Sequence, residues 1–200
     1  MADISINDIT TSNETGTATF TVTLSEAVGS DVTVDFTTSS QTLNFTAADI
    51  ATSADGAYGI YVADMDGDGD LDIVSSSVVD DTIAWYENDG AANPTWSAAD
   101  IATSVDGARD VHVADMDGDG DLDIVSAAGV DNTIAWYEND GAADPTWSAA
   151  IIAASADGPI DVHVADMDGD GDLDIVSASK RDDTIAWYEN DGAADPSWTA

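Results

Sequence analysis

The sequence predicts an all-β protein built from four-stranded antiparallel blades of the β-propeller kind. Three observations predict it. The chain repeats itself every 51 residues, each copy holds four short runs rich in β-branched and aromatic residues, and Gly, Asn, Asp or Pro separates the runs. The string VADMDGDGDLDIVS begins at Val62, Val113 and Val164, and TIAWYENDGAA begins at Thr82, Thr133 and Thr184. Both step by 51 (62 to 113 to 164, and 82 to 133 to 184), so one unit holds both strings. No apolar period of 3.6 residues persists for ten residues, which argues against helix. A four-stranded unit of this length matches one propeller blade.

In the first unit the strands are expected at 59–63, 71–76, 82–87 and 95–102. A fourth-strand sequence also precedes that unit: FTAADIAT at 45–52 matches WSAADIAT at 96–103. The third unit stops at Trp198-Thr-Ala200, where its own fourth strand begins. The segment 43–52 is therefore expected to supply a fourth strand, as when an N-terminal strand completes the last blade of a propeller. An excerpt from a longer repeat array accounts for the same pattern. Three blades are too few for a ring, since propellers use about four to eight. Two chains supply six. The expectation is a half ring completed by a two-fold homodimer, with the N-terminal strand exchanged into the partner's last blade. The alternative is a fragment with unpaired edges.

Residues 1–41 form a separate region and contain no repeat match. Alternation of apolar and polar residues at 4–9, 17–24 and 32–36 predicts three strands of a sheet with one wet face. Three strands make a poor independent domain, so this short β segment is expected to be truncated or to pack on the repeats. The repeat region is taken as 42–200.

Charge narrows the partners. There are 41 acidic side chains against 3 basic ones, a formal charge of −38. Such a surface repels nucleic acid and anionic membranes, and it destabilises its own compact state unless cations neutralise part of it. The acids alternate regularly with Val, Ile, Trp and Tyr, unlike a disordered acidic tail. There is no cysteine, hence no disulfide framework and no thiolate metal site. No segment has the apolar length of a membrane span, so no membrane insertion is expected. MADISINDIT lacks the basic and apolar regions of a signal peptide. The chain is expected to belong outside the cell or on its surface, as an internal piece of an exported protein, because weak all-aspartate sites need millimolar calcium.

The loop after the first strand carries the chemistry. Its spacing is Asp64-x-Asp66-x-Asp68-Gly69-Asp70-x-Asp72, repeated as Asp115, Asp117, Asp119, Gly120, Asp121, Asp123 and as Asp166, Asp168, Asp170, Gly171, Asp172, Asp174. Alternate residues of a tight loop aim carboxylates inward, and calcium takes six to eight oxygens in flexible geometry. Glycine at position six permits the turn. Position seven (Asp70, Asp121, Asp172) is expected to give its backbone carbonyl, and position nine to close the shell. An EF-hand is excluded, because position twelve is Ser75, Ser126 or Ser177 rather than Glu and the flanks are strands. Magnesium prefers fewer carboxylates, and zinc or iron recruits His or Cys, which the loop lacks. About three Ca2+ ions are expected, one per repeat, in a structural role.

These strand-flanked loops resemble the FG-GAP (VCBS-type) repeats of integrin α-chain propellers and of bacterial surface proteins, over roughly residues 42–200. The resemblance implies a propeller with calcium between strands one and two of each blade. It also implies adhesion, or binding of carbohydrate or protein, with a minority of relatives in hydrolases or lyases. This chain departs from the pattern in having three blades. More weakly, GTATFTVTLSEAVGSDVTVDFTT (16–38) looks like the early strands of a Calx-β module.

The units differ from one another at two places. One is the lead-in to strand one, with Tyr58, Arg109 and Ile160 at equivalent positions. The other is the turn between strands two and three, which holds Lys180 and Arg181. In an up-and-down blade these two connections share the face opposite the metal loops. All three cations of the chain lie there, so Tyr58, Arg109, Lys180 and Arg181 are candidate ligand-binding residues, suited to stacking on a sugar and hydrogen bonding its hydroxyls or carboxylates. The ligand expected is a glycan or an extracellular protein. Trp85, Trp136 and Trp187 and the strand-four Trp96, Trp147 and Trp198 recur identically, which suits packing between blades. His112 and His163, at the place of Tyr61, are expected to be packed or channel-lining. No nucleophile elbow or His-Glu-x-x-His string occurs and the carboxylates belong to repeated turns, so no enzyme is expected. The leading function is a calcium-stabilised adhesion or binding module; a structural spacer is the alternative, and a fragment of a polysaccharide-acting enzyme a more distant one.

Overall fold

The computed structural model describes residues 4–6, 22–24, 47–193 and 196–200, and the chain divides into two units, Met1–Thr46 and Ala47–Ala200. In the first unit β1 (Ile4–Ile6) pairs antiparallel with β2 (Val22–Leu24), Ile4 opposite Leu24. Both lie inside strands expected from alternation. The strand expected at 32–36 lies outside the described residues.

The second unit consists of three four-stranded antiparallel sheets, each called a blade for brevity. The first is β3 (Ala57–Ala63), β4 (Asp72–Ser77), β5 (Thr82–Asn88) and β6 (Trp96–Ala102). The second is β7 (Ala108–Ala114), β8 (Asp123–Ala128), β9 (Thr133–Asn139) and β10 (Trp147–Ala153). The third is β11 (Pro159–Ala165), β12 (Asp174–Ser179), β13 (Thr184–Asn190) and β14 (Trp198–Thr199). Each blade is an antiparallel sheet with its strands in chain order. The expected boundaries in the first blade differ from these by at most two residues. Asp81, Asn132 and Asp183 turn strand two into strand three at φ of 56°, 60° and 56°. Their short polar side chains tolerate this left-handed conformation better than other non-glycine residues.

Strand pleat decides how the blades meet. Neighbouring residues of β8 point to opposite faces, so Ile124 enters the core shared with the first blade and Val125 the core shared with the third. On β9, Ala135 and Tyr137 face the first blade, while Ile134 and Trp136 face the third. The middle blade is thus buried on both sides. The innermost strand β7 lies beside both β3 and β11. There Tyr61, His112 and His163 form a file of rings with successive centroids 4.8 Å apart. The two histidines are therefore packed against a neighbouring ring. The inter-blade packing expected of the tryptophans is seen for Trp85 and Trp136, both buried; Trp187 on the third blade is 42% exposed.

The segment 43–52, expected to give a fourth strand to a partner's last blade, is described only from residue 47. Residues 47–52 are in no strand, and 43–46 lie outside the described residues. In the third blade β14 pairs with β13 through Glu189–Thr199 and Asn190–Trp198.

Candidate metal centres

Each loop between a first and a second strand winds tightly on its glycines. Gly67 and Gly69 sit at φ of 74° and 99°, Gly118 and Gly120 at 76° and 102°, and Gly169 and Gly171 at 85° and 103°. This brings carboxylates together. One oxygen each from Asp64, Asp66 and Asp72 lies within 4.8 Å of the others, and the same holds for Asp115, Asp117, Asp119 and for Asp166, Asp168, Asp170. Positions one, three, five and nine are thus all represented among the clustered acids. Asp68, Asp123 and Asp174 occupy the remaining places of those positions, within the same loops.

Position seven stands apart. The carboxylates of Asp70, Asp121 and Asp172 lie against Gly90, Gly141 and Gly192 in the turn between strands three and four, and a Cβ at any of these glycines would collide with them. The side chains of position seven belong to none of the three carboxylate clusters.

Position nine is a latch as well as a candidate ligand. Asp72 Oδ2 accepts the N–H of Met65 at 3.0 Å and Oδ1 accepts the N–H of Asn88 at 2.9 Å. Asp123 holds Met116 and Asn139 at 3.0 and 2.8 Å, and Asp174 holds Met167 and Asn190 at 3.0 and 2.9 Å. All three are buried. Within the loop Asp66 Oδ1 accepts from Asp68 N and Asp68 Oδ1 from Asp70 N. The charges crowd one another. Burial, then the like charges of Asp68, Asp72 and Asp64, pushes Asp66 up, and Asp117 is raised by burial, Asp119 and Asp115. Burial pushes Asp123 up to about 7. Asp172 and Glu87 are raised by burial and by neighbouring loop aspartates.

The donor set suits a hard cation, being all oxygen and strongly anionic. One atom makes the fit specific. Asp64 Oδ1 is buried without a hydrogen-bond donor, whereas Asp115 Oδ1 and Asp166 Oδ1 accept from Gly118 N and Gly169 N. A buried anionic oxygen without a donor is costly unless a cation meets it. Each of the three loops gathers three carboxylates that can coordinate a cation, and in the first the orphaned oxygen adds to that fit.

The variable residues come together elsewhere on the blades. Arg109, Ile160, Lys180 and Arg181, with Gly129 and Gly158, line one cleft of about 250 Å³. Arg109 runs against Gly129 and Arg181 against Gly158, where a Cβ would clash with either side chain. The Arg109 guanidinium carbon lies 5.8 Å from the centre of the Tyr58 ring, and its buried Nε has no acceptor. Arg181 donates to Asn132 Oδ1 at 3.1 Å and faces Asp157 at 3.8 Å.

Sequence reasoning missed the asparagines ending the third strands. Asn139 Nδ2 donates to Leu122 O in its own blade and to Met65 O in the first blade's acidic loop, while its Oδ1 accepts Gly141 N. Asn190 repeats this with Leu173, Met116 and Gly192. The available signal was a polar residue held identical at the end of every TIAWYEN run.

No helix among the described residues is long and apolar enough to cross a membrane. No curated protein matches the chain. The profile of a family described as FG-GAP-like repeat matches residues 76–126 and 117–177. Together these matches span half the chain, and they contain the 115–123 and 166–174 loops. Repeats of this kind are structural rather than catalytic. The chain is thus a member of the FG-GAP-like repeat family.

Proposed function

We propose that this chain is a calcium-stabilised binding module of a secreted or surface protein, acting in adhesion or in recognition of a glycan or protein. The observation that carries the calcium reading is the donor-less, buried Asp64 Oδ1 among clustered carboxylates. The five aspartates of each loop provide the ligand set: side chains from positions one, three, five and nine, and the carbonyl from position seven. Calcium supplies charge neutralisation and a rigid loop, and the nine clustered carboxylates otherwise repel one another. The dependence on free calcium points to an extracellular setting, where the ion is plentiful.

The recognition surface is the cleft of Arg109, Lys180 and Arg181 with Tyr58 at its side. Three cations on a chain of charge −38 gather there, which supports an anionic or hydroxyl-rich ligand. The partner for the incomplete ring is a second copy, giving six blades.

Thermal unfolding and calorimetric titration in calcium and in chelator test the metal reading. A raised melting temperature and about three ions per chain are expected, with one ion lost in each of Asp64→Asn, Asp115→Asn and Asp166→Asn. Equal melting temperatures in calcium and chelator would sink it. For the cleft, the combined Arg109→Ala, Lys180→Ala, Arg181→Ala variant should lose glycan-array binding yet keep its calcium stoichiometry.

A further inference from the structure

We infer that a second copy of this chain docks head to tail, its first blade on the open face of the third blade, through the interface already used twice within the chain. The inference deepens the six-blade reading above and is independent of calcium.

Equivalent apolar positions of the three blades differ in burial. Val111 and Val113 on β7 are 3% and 4% exposed because the first blade covers them; their counterparts Ile60 and Val62 on β3 are 68% and 51% exposed. Ile134 and Trp136 on β9 are 0% and 3% exposed under the third blade, whereas Ile185 and Trp187 on β13 are 73% and 42% exposed. Met116 is 2% exposed and Met167 is 53%. The first blade therefore shows one half of a repeated core, and the third blade shows the other half. Large side chains left in solvent on matching faces mark an interaction site, and here the internal interfaces define what covers them.

The polar side repeats as well. Across the first internal interface Val105 N donates to Asp81 O and Gly107 N to Asp81 Oδ1, both at 2.9 Å. Across the second, Ala156 N donates to Asn132 O at 3.1 Å and Gly158 N to Asn132 Oδ1 at 2.9 Å. Asp183 stands ready for the third set, with the same left-handed φ. Its counterparts in the second copy are Ala54 N and Gly56 N, which have no partner among the described residues. Likewise Asn88 Nδ2 spends one N–H on Leu71 O, leaving the other for Met167 O, as Asn139 and Asn190 do for Met65 and Met116.

An open strand edge completes the match. β6 pairs with β5 through Ile83 to Asn88, but β14 covers only Glu189 and Asn190 of β13. The edge from Ile185 to Tyr188 is free among the described residues. Residues 48–51, aligned 51 positions before the β6 segment that pairs there, are exposed and unpaired. Two chains so joined use both open faces twice and leave none over.

The test uses the full chain, with mass measured by light scattering at about 0.1 mM, where a micromolar interface is saturated, in calcium and in chelator. Wild type is expected at twice the 20.5 kDa chain mass. Ile60→Asp and Ile185→Asp each spoil one face, and both side chains are largely in solvent in the single chain, so folding survives. Each variant alone is expected at 20.5 kDa. Mixed in equal amounts, they regain one intact interface and the two-chain mass returns. Val62→Asp and Met167→Asp repeat the experiment if either first variant loses its strand signal. A single-chain wild type, an assembly larger than two chains, a variant that keeps the wild-type mass, or a mixture that stays at single-chain mass overturns the inference. Calcium titration of the single-chain variants reports separately on the metal reading.

Discussion

The side-chain amide of Asn190 donates to the carbonyl of Met116, 74 residues earlier in the chain, at 3.0 Å. The same amide donates to Leu173 O at 3.1 Å, and Asn190 Oδ1 accepts Gly192 N at 3.0 Å. One buried side chain thus ties the acidic loop of one blade to the loop and turn of the next. Asn139 does the same one blade earlier.

Asn139→Ala leaves Met65 O, Leu122 O and Gly141 N without their side-chain partners. A loss of about 2–3 kcal/mol is expected, following the cost of stranding buried polar groups. Urea unfolding of the chain in calcium measures it. Asn139→Asp should be no milder, since it keeps the acceptor for Gly141 N but faces two carbonyl oxygens with a carboxylate.

Two glycines separate backbone strain from steric collision. Gly120 has φ of 102° with open space where a Cβ would stand, so Gly120→Ala should cost only the left-handed penalty, roughly 1–2 kcal/mol. Gly141 also has positive φ, and a Cβ there meets the Asp121 carboxylate. Gly141→Ala should therefore be the more damaging, and it should displace Asp121 as well. Paired denaturation curves compare the two.

Burial holds Asp123 near 7, above the ordinary carboxylate value of 3.8. The folded chain then favours the neutral acid. Its contribution is present below the unfolded value and is lost as pH rises through about 7. In chelator, stability should fall across that window. With calcium bound the carboxylate is held ionised and this fall should vanish. A melting series against pH, with and without chelator, distinguishes the two slopes.

The turns between strands three and four carry the opposite sign. Hydrogen bonds from Thr146, through its hydroxyl and its N–H, and from Ala142 N hold Asp140 below the usual carboxylate range. Its stabilising effect is present above the unfolded value and is lost as pH falls through the folded one. Thr146→Val should move the Asp140 titration upward in a carboxyl-detected NMR experiment while leaving Asp89, held by Thr95, unchanged. Equal movement of both would contradict the local assignment.

His112 is lowered from the ordinary histidine value by burial and by His163, with Asp161 opposing. The neutral ring is favoured in the file between Tyr61 and His163. Stability is therefore full above about 6.5 and declines as pH falls from there through the folded value. His112→Phe should remove that decline in a melting series.

Much of this fold was legible in the residues. The 51-residue step, the β-branched runs and the Asx and Gly turns located each blade strand of the first unit to within two residues, because these signals act locally on backbone conformation. The Asp-x-Asp-x-Asp-Gly spacing brought carboxylates together for the same reason, since a tight loop needs only its own glycines. The latch of Asp72 on Met65 and Asn88 was not legible, nor was the bond from Asn139 to Met65. Each joins residues from different strands or blades, and no local pattern encodes which backbone atom comes opposite.

The sequence by itself determined the repeat, the strand periodicity, the acidic loops and the location of all three cations in variable connections. The tertiary structure decided which faces of identical repeats are buried. Trp136 and Trp187 share one sequence context, yet one is buried and the other 42% exposed. The difference lies in whether another blade stands beside them, a property of position in the stack that three equal copies of a sequence cannot record.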